Sequence, residues 1–89
     1  MVSQIRVTPE ELQGCSVTFR NESAAVNELI IRLDGQLNGI DWAGQSALRF
    51  RSMWEGEFKK VLRRMADELS LSADHLSERA ASALAYDGA

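Results

Sequence analysis

Eighty-nine residues with a net charge of −3, six glycines and one proline describe a single small domain of helical composition. The mildly acidic balance speaks against a general nucleic-acid binder, which needs a basic footprint, and the lone cysteine, Cys15, excludes an intramolecular disulfide. No run approaches the ~20 apolar residues of a membrane span, so no stable membrane insertion is expected, and residues 1–8 lack the apolar stretch of a cleavable signal peptide.

Residues 1–7 read as an N-terminal arm. Thr8-Pro9-Glu10-Glu11 then has the form of a capping box with proline at the first helical position. The Thr8 hydroxyl accepts from the Glu11 N–H, the Glu11 carboxylate reaches back, and Pro9 lacks a donor that would have been unpaired anyway. Leu12, Cys15, Phe19, Val26, Leu29, Ile30, Leu33 and Leu37 recur at steps near three and four. That spacing predicts a helix over about 9–37, with Cys15 as a small core residue.

Residues 38–44, Asn-Gly-Ile-Asp-Trp-Ala-Gly, predict the turn. The chain holds two Trp-x-Gly tripeptides, Trp42-Ala43-Gly44 and Trp54-Glu55-Gly56. Only the first lies among turn formers; the second sits within a helical pattern, so Trp54 reads as core and Trp42 as the turn tryptophan. Trp42 either lids the end of a hairpin core or serves recognition. Gly44, without a Cβ, is expected to let the second helix start close against the first and against the Trp42 ring.

A second helix over about 45–85 follows from Ala47, Phe50, Trp54, Phe58, Val61, Met65, Leu69, Leu76, Ala80 and Ala83, flanked by Leu48, Met53, Leu62, Leu71 and Leu84. Residues 86–89 read as a frayed tail. A short turn makes the helices antiparallel neighbours. Folding about Asp41 predicts the pairs Leu33–Phe50, Leu29–Trp54, Ala25–Phe58, Phe19–Met65 and Cys15–Leu69. The predicted seam, within the hairpin and toward a second chain, is Leu12, Phe19, Val26, Leu29, Leu33, Phe50, Trp54, Phe58, Val61, Met65, Leu69 and Leu76.

The neighbours Leu29 and Ile30, Met53 and Trp54, and Val61 and Leu62 cannot all face one helix. A monomer would expose an apolar patch, which marks an interface, so dimerisation is expected. Residues 45–65 carry six basic against two acidic residues, and residues 66–89 one against five. In an antiparallel self-pair, the basic part of one second helix would meet the acidic part of the other.

No catalytic constellation stands out. His75 is the only histidine and has no nucleophile beside it. A metal site asks for more ligands at helical spacing, and no cofactor is implied. The expected class is a non-enzymatic protein acting by contact with other proteins. The open alternative is an intracellular helical dimerisation module, or a nucleic-acid-associated hairpin using Lys59, Lys60, Arg63 and Arg64.

The central Trp42-Ala43-Gly44, Phe50 eight residues later, a length near one hundred and the opening Ser3-Gln4-Ile5-Arg6-Val7-Thr8-Pro9-Glu10-Glu11-Leu12 together resemble the WXG family. These are small helical-hairpin proteins exported by type VII (ESX) secretion systems. The resemblance covers the whole chain. It implies an all-α fold in which an antiparallel two-helix hairpin dimerises into a four-helix bundle, with itself (the preferred reading) or with a sister protein. It implies secretion without a cleaved signal peptide, from a cytoplasmic starting point, driven by a membrane-bound secretion ATPase. It also implies that the turn motif, Trp42 and Gly44, lies near the partner's C-terminal tail and forms part of the export signal. In the family that tail carries a tyrosine followed four residues later by an acidic residue. Tyr86 is the candidate, but the acidic position would be 90, beyond the last residue given, which leaves the tail signal absent, cut short or supplied by a partner.

Overall fold

The computed structural model describes residues 7–88, with side chains as far as Leu84. Met1–Arg6, nearly all of the predicted arm, and the Tyr86 side chain lie outside the described residues.

Helix α1 spans Pro9–Gly39 and opens on the predicted capping box. Glu11 N donates to Thr8 Oγ1 at 3.1 Å, and Thr8 N donates to Glu11 Oε1 at 3.4 Å. After a turn over residues 40–44 the chain enters α2, Gln45–Met53, a π-helical turn, Trp54–Phe58, and α3, Lys59–Gly88. The last three form one continuous rod folded back along α1. Its backbone is helical to Gly88.

The inside of the hairpin is made of small residues. Ser16, Ser23 and Ile30 on α1 and Ala66, Ala73 and Ala80 on α3 are buried, each set at intervals of seven. Leu12, Phe19, Val26 and Leu33 flank the first set half-buried, and Leu62, Leu69, Leu76 and Ala83 flank the second. The alternating three- and four-residue steps are those of a coiled-coil seam. Ser16 and Ser23 opposite Ala73 and Ala66 let the backbones approach closely enough for side chain to reach main chain. Ser16 Oγ donates to the Ala73 carbonyl at 2.7 Å, and Ser23 Oγ to the Ala66 carbonyl at 2.6 Å.

These two bonds set the register and correct the predicted pairing. Phe19–Met65 and Cys15–Leu69 would place α3 about five residues away, roughly one and a half turns. The prediction folded the chain about Asp41, whereas Ser16–Ala73 and Ser23–Ala66 place the fold about a turn that ends at Gly44. Cys15, expected in the core, is exposed, because the seam passes through its neighbour Ser16.

The π turn explains how one rod keeps one face inward. Buried or half-buried positions run Ala47, Arg51, Trp54, Lys59, Leu62, Ala66, and the step from Trp54 to Lys59 is one residue too long for an α-helix. Lys59 N donates to the Trp54 carbonyl, the i→i−5 bond that absorbs the extra residue.

The molecule measures 65 × 28 × 15 Å with a radius of gyration of 19.7 Å. A compact chain of this length would have a radius near 12 Å. A thickness of 15 Å is a single layer of helices, each about 10–12 Å across.

Candidate functional site: the turn end and the outward stripe

The turn is built by three side chains and one backbone torsion. Gly44 has φ 103° and ψ −179°, a region open essentially to glycine alone, and its carbonyl accepts the first bond of α2 from Leu48 N at 3.1 Å. A Cβ at Gly44 would meet nothing within 4 Å. The close approach to α1 and to Trp42 expected of this glycine is therefore not its reason; the backbone torsion is.

Trp42 stands outside the hairpin seam, 37% exposed. Its ring is tilted 45° against Phe50 with centroids 5.8 Å apart. The Arg51 guanidinium carbon lies 6.0 Å from the ring centroid, within cation–π range. Arg51 also donates through Nη1 to the Trp42 carbonyl at 3.0 Å and through Nη2 to the Leu37 carbonyl at 3.2 Å. Beside this lies an apolar cleft of about 590 Å³ lined by Leu33, Gln36, Leu37, Gly39, Ile40, Phe50 and Trp54. The predicted neighbours Leu33 and Phe50 share this cleft rather than closing it.

Trp54 behaves unlike Trp42. It is 6% exposed, and its indole N–H donates to Asp34 Oδ1 at 2.6 Å. Asp34 Oδ2 receives Lys59 Nζ at 2.9 Å, and the same ammonium reaches Glu55 at 3.0 Å. The hydrogen bond from Lys59, then that from Trp54, holds the Asp34 carboxyl below the usual carboxylate range. The Asp34 bond, then the Glu55 bond, holds the Lys59 ammonium above the usual lysine range.

The adjacent apolar pairs divide as two neighbours would require. Ile30, Trp54 and Leu62 turn toward the other arm of the hairpin, while Leu29 stays half-buried and Met53 and Val61 face out. Along the rod, Phe58, Val61 and Met65 form an exposed stripe, with Val61 at 52% and Met65 at 50%. It continues into a shallow groove lined by Val61, Arg64, Met65, Glu68, Leu69 and Ser72. Of the predicted seam residues, Trp54 alone is fully buried in the single chain. Leu12, Phe19, Val26, Leu29, Leu33, Leu69 and Leu76 are half-buried, and Phe50, Phe58, Val61 and Met65 are exposed.

Sequence reasoning missed Arg51, Asp34 and the two seam serines. The available signals were the seven-residue spacing of Ser16 and Ser23, and the four- and three-residue steps that place Arg51 between Ala47 and Trp54. The basic cluster is also smaller than its composition suggests, since Lys59 is held by Asp34 and Glu55, and Arg51 by the turn. Among the described residues no three His, Cys, Asp or Glu side chains gather as a metal-binding group, and no helix is long and apolar enough to cross a membrane.

No curated protein gives a significant match to the chain. Two solved structures do. One is EsxA of Geobacillus thermodenitrificans, 32% identical over 99% of this chain and 96% of that one, with a TM-score of 0.87. The other is a mutant of the secreted protein EsxB from Bacillus anthracis, 26% identical over 100% of this chain and 99% of that one, with a TM-score of 0.81. Residues 4–87 match the family described as proteins of 100 residues with WXG. With a helical hairpin turning at Trp42-Ala43-Gly44 and a family match over nearly its full length, the chain belongs to the WXG100 family of type VII secretion substrates.

Proposed function

We propose that the chain is exported as a dimer, with itself in preference to a sister protein, and that it acts as an adaptor or effector through protein–protein contact. The observation that carries this is the single-layer hairpin, 15 Å thick, with Phe58, Val61 and Met65 on one outward stripe. A second hairpin laid on that face would give a four-helix bundle and remove the stripe from water, contributing about 25 cal/mol per Å² of apolar surface covered. In this reading Trp42 and Gly44 form the turn half of the export signal, Tyr86 is the tail residue, and a membrane-bound ATPase drives export of the cytoplasmic dimer without a cleaved signal peptide.

The test has two parts. The mass of the isolated chain in solution should be twice that of the monomer, and an unfolded monomer rescued only by a second protein would replace self-pairing with a heterodimer. Secretion of Trp42→Ala should fall while the dimer persists; unchanged export would reduce Trp42 to a lid. The basic 45–65 and acidic 66–89 segments favour self-pairing, and a dissociation constant indifferent to salt would remove that support.

A further inference from the structure

We propose that Arg51 is the positioning residue of the turn, holding Trp42 in the one arrangement that a partner reads. This rests on the reading above that Trp42 is recognised. The turn does little to fix itself. Among the described residues no backbone–backbone hydrogen bond forms within Ile40–Ala43. Gly44 caps α2 with no side chain, and α1 ends with no basic residue in its last turn. The final carbonyls of a helix lack intrahelical donors and carry partial negative charge. Arg51, reaching over from α2, answers both deficits. One fork of its guanidinium takes the Leu37 carbonyl near the end of α1, and the other takes the Trp42 carbonyl.

The same cation lies 6.0 Å from the Trp42 ring centroid, and Phe50 lies against that ring at 5.8 Å. Phe50 and Arg51 are neighbours on α2, so the ring's position is referred to the rod and not to the loop. The remainder of the indole is left exposed. Lysine cannot substitute for this function, because an ammonium is a point donor without a planar fork or a stacking face. Arg51 also lies off the outward stripe of Phe58, Val61 and Met65, so its role is separable from dimerisation. If its loss lets the turn sample other arrangements until about a tenth of molecules hold the readable one, apparent affinity for the reader falls about tenfold.

The experiment compares full-length wild type, Arg51→Lys, Arg51→Met and Trp42→Ala in cells carrying the chain's own secretion machinery. Purified dimers are checked for mass and melting temperature, and 5-fluorotryptophan labelling resolves Trp42 from Trp54 by fluorine NMR. The expected result for both Arg51 variants is a wild-type dimer mass, a shifted or broadened Trp42 resonance beside an unmoved Trp54 resonance, and secretion reduced about tenfold. Wild-type secretion of both Arg51 variants alongside lost secretion of Trp42→Ala overturns the role of Arg51 and leaves the Trp42 reading standing. Normal secretion of Trp42→Ala overturns both. Dissociation of the Arg51→Lys dimer, or movement of both tryptophan resonances, makes Arg51 a general strut and likewise overturns the proposal.

Discussion

The Trp54 indole N–H and the Asp34 carboxylate meet at 2.6 Å across the hairpin, and the second oxygen of that carboxylate holds Lys59 at 2.9 Å. The tripeptide that imitates the turn motif thus anchors the helices instead. Asp34 titrates below the usual carboxylate range, chiefly because of Lys59 and then Trp54. Its contribution to stability is complete above the unfolded carboxylate value, about 3.9, and is lost as pH falls through the lower folded value. Lys59 titrates high, so its contribution is complete below about 10.4 and is lost as pH rises through the folded value. In a Trp42→Phe background, Trp54 emission should hold constant across neutral pH and change at the acid and alkaline extremes. Asp34→Asn should lower the melting temperature at pH 7 and flatten the acid-side change, since a neutral amide still accepts from the indole but no longer pairs with the ammonium.

Gly44→Ala should destabilise the fold by roughly 1–3 kcal/mol, the strain of a non-glycine residue at this torsion. The open space around its Cβ position means that no steric clash adds to it. Thermal unfolding measures this directly, and a wild-type melting temperature would show that the turn relaxes without cost.

Met65 and Ala73 lie on the same helix and should fail differently. Met65→Glu puts a charge on the outward stripe and should convert the proposed dimer to a monomer, seen as half the mass and a melting temperature that no longer depends on concentration. Ala73→Leu enlarges the residue whose carbonyl receives Ser16 and should cost about 1–3 kcal/mol by overpacking the hairpin. A Met65→Glu dimer of full mass would place the interface elsewhere.

Thr8→Ala removes the hydroxyl that accepts from Glu11 N at 3.1 Å and should cost about 1 kcal/mol. Amide exchange should speed up at the start of α1 and stay unchanged at the turn. Faster exchange throughout would mean that the cap supports the whole hairpin.

The capping box, the choice of Trp42 over Trp54 as the turn and the order of helices were legible because each is written in adjacent residues or in a long periodicity. The seam was not. A search for large apolar residues finds Phe19, Phe58 and Met65, but closely approaching helices are joined by Ser16, Ser23, Ala66 and Ala73, whose small size is the reason they are buried. Cys15 was misplaced because it falls on the apolar stripe, one residue from the true seam. Arg51 was illegible for another reason: a charged side chain between Ala47 and Trp54 reads as surface until the turn it clasps is seen. Gly44 was singled out for the wrong cause, since a torsion and a close approach leave the same mark in a sequence.

The π turn makes the long rod two cassettes joined by a spacer. Removing one residue between Trp54 and Lys59 would restore a regular helix and leave the two four positions apart, a spacing that keeps both on one face. The head, Gln45–Met53, is aligned to the turn, and the stem, Lys59–Gly88, is aligned to α1 and the outward stripe. Because the spacer absorbs their mismatch, a stem suited to a new partner can be grafted below Phe58 without redrawing the head that carries Arg51 and frames Trp42.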